Sequence, residues 1–402
     1  MGISSRVLSL VKKAVGVSTP AAFPIFGILP TATGQTVTAI SAMRVPAVAC
    51  AVSLISETVG NLPVKLFDRQ SRGANKDHPA YRVIHDEANP WTSAEALRVE
   101  LTTDALLHGS GFALVVRNGA GDPAELHRLE PASVQIETAT DGEPSYLVRL
   151  TDGQTRYGYQ DIFHISAFGG ASPISLGREA IGLAMAFENH VAKLFANGAQ
   201  PGGIITSPKL LGDDAKANLK LSWNDTHSGP KSGGVALLDE GMAYQQITMT
   251  LTDAQFAENR LEQIREIARV FRVPPTMLFE LSRGTWSNTE EMARQFLQIT
   301  LKPWLSSWAW AYARCLLSPE ERAAFYVEFI VDDLLTTSAA ARATAYGQYR
   351  SMGVMTANEV RGGLNLSPLP DGDNLSNPYT TSTSTAASEA TPPASEEAKP
   401  HD

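Results

Sequence analysis

The chain has 402 residues, 43% apolar and 19% charged, which is enough for two or three domains with buried cores. Its 31 Gly and 24 Pro exclude a collagen-like or wholly disordered chain, and its two distant cysteines, Cys50 and Cys315, exclude a disulfide framework or a paired-cysteine zinc site. The formal charge is −9, of which residues 371–402 carry −5, so nothing here grips nucleic acid through a strong positive excess.

The first acid is Glu57; before it stand Arg6, Lys12, Lys13 and Arg44. Pro20, Pro24 and Pro30 interrupt the apolar run that a signal peptide needs, and residues 1–40 read as a flexible arm. Arg6 stands where a myristoylation motif has Ser or Thr. The most apolar later run, 303–313, is far shorter than the roughly 20 residues of a membrane helix, and no membrane partner is expected.

Residues 45–60 predict a buried helix. Pro46 suits its first turn, Val48, Val52, Ile55 and Val59 recur at helical spacing, and Gly60 can end it. A strand at 64–67 follows, then a helix to His108 with Thr92 and Glu95 as its capping box. Residues 112–165 read as strands, with Asp141-Gly142 and Asp152-Gly153 as turns. Pro173 opens a long helix whose apolar face holds Ile181, Ala184, Phe187, Val191 and Leu194, closed by Asn197-Gly198.

The segment 199–251 is mixed: a polar helix at 213–223 and strands near 235–238 and 244–249. Thr252 and Gln255 cap a second strong helix. Its narrow stripe, Ala257, Leu261, Ile264, Ala268 and Phe271, is a helix-packing seam. Val273-Pro274-Pro275 stops it. A loop runs to Asn288, which with Glu291 caps a helix to Leu317 that Pro303 should kink. Helices at 339–351 and after the Thr356/Glu359 cap come next, and residues 376–402 lack the apolar content to order.

Catalytic signals are weak. There is no phosphate-binding loop, dinucleotide fingerprint, zinc-protease helix or nucleophile elbow. Ser9/Lys12 and Ser228/Lys231 match S-x-x-K, but neither setting would desolvate the lysine. Asp332 and Asp333 pair two carboxylates beside the apolar Phe329, Ile330 and Val331; a strand end or cap explains them as well as a metal site does. The eight histidines never cluster at ligand spacing, and the Asn224-Asp225-Thr226 sequon stands without other signs of secretion. Trp304, Trp308 and Trp310 share a helix, as core residues or as a base-stacking platform.

The ordered segments resemble the portal protein family of tailed bacteriophages and gene transfer agents. The resemblance rests on Ala49-Cys50-Ala51-Val52 with Leu62-Pro63-Val64, Asn89-Pro90-Trp91, His108-Gly109-Ser110-Gly111-Phe112, Ser172-Pro173-Ile174 and Leu194-Phe195-Ala196-Asn197-Gly198. It continues through Asp253-Ala254-Gln255-Phe256, Arg269-Val270-Phe271-Arg272-Val273-Pro274-Pro275, Leu301-Lys302-Pro303-Trp304 and Gly353-Val354-Met355-Thr356. A short clip-like segment and a compact C-terminal end depart from the family pattern.

The resemblance implies an α+β portal-type fold assembled as a ring. Its parts would be an α+β wing (41–172), stem helices at 173–198 and 252–272, a small clip (199–251) and a tunnel loop (273–288). A long kinked helix and strand (289–335) would return to the wing, followed by a helical crown (336–375). About twelve subunits would form a channel at a capsid vertex through which double-stranded DNA passes without sequence specificity. Partners would be the major capsid protein, the terminase large subunit and a head–tail adaptor; no cofactor or metal is implied. Within that picture Arg272, Arg283 and Trp286 would face DNA, and Lys216, Lys220, Trp223, Asp225 and His227 would dock the motor or adaptor. Leu261, Ile264, Ala268 and Phe271 would pack subunits. The competing readings are a metal-dependent hydrolase using Asp332 and Asp333, and a scaffold or adaptor without a channel.

Overall fold

Helix α1, Pro46–Asn61, starts with Pro46 in its first turn and buries Val48, Ala51, Val52, Ile55 and Val59. The computed structural model describes residues 30–150, 153–196, 203–208, 210–227, 241–246, 253–281, 289–331, 339–364 and 366–375. Two compact units divide the chain, Met1–Val331 and Asp332–Asp402. The expected flexible arm ends earlier than residue 40. Thr31 is buried, Ala32 N–H donates to Glu179 Oε2 at 3.0 Å, and the Thr33 hydroxyl donates to Gly182 O at 3.2 Å.

After α1, strand β1 (Val64–Asp68) leads to α2 (Pro79–His85) and the short pair β2 (Glu87–Asn89) and β3 (Thr92–Ser93). Helix α3, Ala94–His108, is capped by Ser93, whose hydroxyl accepts from Ala96 N–H at 3.0 Å. The expected Thr92 cap is wrong by one residue, because Thr92 pairs with Asn89 in the β2–β3 ladder. Gly109 ends α3 at φ 93°, where a Cβ would lie 2.4 Å from Gly170 O. Both the backbone angle and the close approach require glycine there.

Two three-stranded antiparallel sheets follow. One has the order β5 (Pro123–Leu129), β4 (Ser110–Arg117), β9 (Ile162–Ser166); the other has β6 (Val134–Thr138), β7 (Pro144–Leu150), β8 (Gly153–Tyr157). Phe112 and Ile162 of the first share a buried cluster with Tyr146 and Val148 of the second. Asp104 on α3 is buried and takes both Arg128 Nε and Nη2, at 2.7 and 2.8 Å, which ties the helix to β5.

The long helix expected from Pro173 is broken. Ser172 caps a single turn, Pro173–Leu176, and Gly177 separates it from α4, Arg178–Ala196. The position at the break is reserved for glycine, since a Cβ at Gly177 would sit 2.7 Å from the Val270 methyls. Strands β10 (Gly203–Thr206) and β11 (Ala243–Gln246) pair antiparallel around α5, Asp213–His227. The strand expected at 235–238 lies outside the described residues.

Helix α6 spans Asp253–Phe271. Beyond it, α7 (Thr289–Gln295) passes through a π-turn (Phe296–Leu301) into α8 (Lys302–Leu316). The kink expected at Pro303 is taken up by that π-turn. Pro303 lacks the N–H that would bond the Ile299 carbonyl, and the wider turn absorbs the mismatch before α8 resumes. Strand β12, Phe325–Phe329, then pairs antiparallel with β1, extended by Ile330 N–H to Pro63 O at 2.8 Å.

In the second unit α9 is Ala339–Ser351 and α10 is Ala357–Gly363, with the Thr356/Glu359 capping box formed as expected. Asn358 Nδ2 donates to Leu369 O at 3.0 Å and Arg350 Nη1 to Asn374 O at 2.8 Å, so the chain up to residue 375 folds back on these helices. Among the described residues no helix is long and apolar enough to cross a membrane.

Candidate functional site

Helices α4 and α6 pack together with their buried ends beside α1. Ile181 and Ala184 on α4, and Ile267, Ala268 and Phe271 on α6, are enclosed. Burial then fades along both helices. Phe187 and Val191 are half-buried, Leu261 and Ile264 are half-buried, and residues 258–260 are exposed. Of the four residues expected to pack subunits, Ala268 and Phe271 are therefore already covered by their own chain. Leu261 and Ile264 keep surface to offer a neighbour.

Charge on α6 is balanced internally. Arg265 lies 3.3 Å from Glu262 and 3.4 Å from the buried Glu280, while Arg269 pairs with Glu266 and, at 3.6 Å, with Glu262. The exposed pairs to Glu262 and Glu266 stabilise by only about 0.3–0.5 kcal/mol each. Their larger effect is to leave the helix with little net attraction for phosphates.

Arg272 ends α6 in an unusual way. Its N–H bonds Arg269 O at 3.1 Å and the next N–H, of Val273, bonds Ala268 O at 2.9 Å, which is a Schellman cap. The left-handed position of that cap favours glycine, yet Arg272 holds it at φ 58°, at a cost of roughly 1 kcal/mol. Arg272 is exposed, and its carbonyl accepts the Thr300 hydroxyl. An exposed cation is thus fixed at the mouth of the following loop.

The first half of that loop is a built turn. Pro275–Leu278 form a 3₁₀ turn, with Phe279 N–H to Thr276 O at 3.1 Å and Glu280 N–H to Pro275 O at 3.2 Å. Leu278 and Glu280 point inward, whereas Phe279, at φ 62°, and Leu281 project into solvent. Arg283 and Trp286, with Ser282, Gly284 and Ser287, lie outside the described residues. Against the C-terminal end of α6 lies an open recess of about 280 Å³, with Ala268, Val273, Pro274, Pro275 and Ile299 as its apolar floor and Arg265, Arg269, Arg272 and Gln295 around it.

On α5, Lys216 Nζ lies 3.0 Å from Asp213 Oδ1 and Lys220 is exposed, as is Leu221 on the same helix. Trp223, Asp225 and His227 fall on the backbone of its C-terminal end; their side chains, like Asp332 and Asp333, lie outside the described residues. Among the described residues no three His, Cys, Asp or Glu side chains gather as a metal site.

Sequence reasoning missed two polar features of the first unit. Arg98 is buried and donates to Gly60 O at 2.8 and 3.2 Å and to Ile84 O at 3.0 Å, satisfying carbonyls at the C-terminal ends of α1 and α2. His164 bridges Tyr146 Oη at 3.2 Å and Ser110 Oγ at 3.1 Å. Burial, aided by nearby Arg314, lowers its pKa to about 4, so the ring is neutral near pH 7. Of the three tryptophans on α8, Trp308 is fully buried against Phe163 and Tyr312, whereas Trp310 is exposed.

A family described as Phage portal protein matches residues 46–365. The portal protein of Enterobacteria phage HK97 is 30% identical over 334 residues, covering 80% of this chain and 78% of that protein. The probable portal protein of Streptomyces phage phiC31 is 30% identical over 366 residues, covering 85% and 79%. Among solved structures, the neck of an empty gene-transfer-agent particle is similar at TM-score 0.57 and 24% identity, covering 82% of this chain and 94% of that one. An HK97-family phage portal protein from Corynebacterium diphtheriae reaches TM-score 0.58 at 16% identity, covering 73% and 95%. The hydrolase alternative finds no support among these relatives.

Proposed function

This chain belongs to the phage portal protein family, and on that premise we propose that its copies close into a ring of about twelve subunits at one capsid vertex. Double-stranded DNA is packaged through the ring and later leaves by it. The observation that carries this reading is the match over residues 46–365, joined to two antiparallel-capable stem helices whose burial is incomplete in a single chain. In a closed ring the half-buried seam of α6 gains a neighbour on each subunit.

The parts follow the same reading. Residues 41–172 form the wing, 173–198 and 252–272 the stem, 199–251 the clip, 273–288 the tunnel loop and 336–375 the crown. The wing meets the major capsid protein. The clip, with Lys216, Lys220, Trp223, Asp225 and His227, receives the terminase large subunit and later a head–tail adaptor. The protein works in the virion or gene-transfer-agent particle after assembly in the host cytoplasm, as a structural conduit rather than an enzyme. Native mass spectrometry of the purified protein tests the ring: a closed oligomer is expected, and a monomer persisting at high concentration contradicts it.

The balanced charge of α6 suits a conduit, since many free cations would hold DNA by counterion release instead of letting it slide. Arg272, Arg283 and Trp286 supply the exceptions near the axis. Two arginines per subunit are weak singly but add up around a ring. Arg283→Ala is expected to leave assembly intact while shortening the packaged DNA or releasing it early. Unchanged packaged length and retention would refute the assignment.

A further inference from the structure

Phe279 stands out as a side chain held in the wrong place for a monomer. It is 82% exposed, and its φ of 62° is a strained angle for an aromatic residue. The turn that imposes this angle is firmly anchored. Pro274 and Pro275 fix its entry, Leu278 is buried on one side, and on the other Glu280 is buried and lies 3.4 Å from Arg265. Leu281, also exposed, extends the same apolar projection.

The same region carries an apolar recess that its own chain leaves open. The recess, about 280 Å³ and open to solvent, has an apolar floor of Ala268, Val273, Pro274, Pro275 and Ile299, with Arg265, Arg269, Arg272 and Gln295 around it, and Ile299 is 46% exposed at its rim. A volume of about 150 Å³ is enough to take a benzene ring, so this recess has room for a phenyl group, with guanidinium groups placed to border its face. Phe279 does not fill it in its own chain, as its exposure shows. Knob and recess are different surfaces, and a contact between two different surfaces of identical chains runs head to tail, giving a ring when the rotation between neighbours closes.

We propose that Phe279 of each subunit inserts into the cavity beside Ile299 of the next subunit, making a knob-in-hole joint around the inner ring. The proposal rests on the ring reading above and names the contact that closes it. The strained backbone is then a positioning device: the turn presents the aromatic ring outward before assembly, so little ordering is needed on docking.

The test uses two single variants of the full chain in a Cys50→Ala background, Phe279→Cys and Ile299→Cys. They are mixed before assembly and mildly oxidised; Cys315 is buried and stays silent. Covalent dimers are expected from the mixture and not from either variant alone. Assembly of Phe279→Ala is measured alongside, with a shift of about tenfold or more in the concentration for half-assembly, as expected for a buried aromatic anchor. Phe279→Gly relieves the backbone strain, so its dissociated subunit should unfold no earlier than the parent while its assembly weakens similarly. If the wild type forms rings but the oxidised mixture of the two cysteine variants gives no covalent dimers, or if assembly is unaffected by both Phe279→Ala and Phe279→Gly, the joint is overturned and the portal reading stands. Absence of wild-type rings overturns both.

Discussion

Trp308→Ala is expected to destabilise the first unit by about 3–5 kcal/mol, among the largest effects of any single substitution in this chain. Trp308 is fully buried, its ring centroid lies 5.2 Å from that of Phe163 and 5.5 Å from that of Tyr312, and its Nε1–H donates to Thr102 Oγ1 at 3.1 Å. Truncation removes the packing between α8, β9 and α3 and leaves the Thr102 hydroxyl, itself buried, without that donor. Thermal unfolding should shift down by roughly 4–8 °C for a unit of this size. Trp308→Phe should recover much of the loss but not the hydrogen bond. A thermal midpoint unchanged in Trp308→Ala, with weakened DNA contact instead, would restore the base-stacking role that the helix position alone leaves open.

Acid should weaken the first unit through His164. Its folded pKa of about 4 lies below the ordinary value of 6.5, because burial disfavours the charged ring and Arg314 adds to that. Above pH 6.5 both folded and unfolded forms are neutral and the full stability is present. As pH falls below 6.5 the unfolded chain takes up the proton first, and stability drops until the folded ring also titrates near pH 4. The loss amounts to about 2–3 kcal/mol, allowing for the part of His164 that remains accessible. Denaturant midpoints measured from pH 7.5 to 4 should therefore fall, and His164→Gln should flatten that fall over the pH 6.5–4 window. An equal slope in both proteins would show that other groups carry the acid response.

The helices that sequence marks well are those whose ends and faces are decided locally. Residues 45–60, the helix stopped at Pro274-Pro275, and the Thr356 capping box all read directly, since a proline, an apolar period or a cap leaves little choice. Errors cluster where a distant segment decides. Thr92 and Ser93 are equally good caps by composition, and only the β2–β3 pairing selects Ser93. Gly177, where the helix breaks, is held to glycine by Val270 of a distant helix, and residues 31–33 are tied down through Glu179 and Gly182 of α4.

The candidate site was less legible than the fold for a related reason. Arg98 looks like any surface arginine until two helix ends converge on it. Ala268 and Phe271 belong to a seam by spacing, but spacing does not say which part of the seam the chain covers itself. Phe279 carries no signal at all in sequence. Its exposure and backbone angle follow from a turn anchored by Glu280 and Arg265, fifteen residues apart.

Electron microscopy of the purified full-length protein tests the central claim most directly. The account predicts closed rings with a central hole wide enough for duplex DNA, lined by the stem and by the 273–288 segment of every subunit. Compact monomers, or assemblies without an open axis, would contradict it.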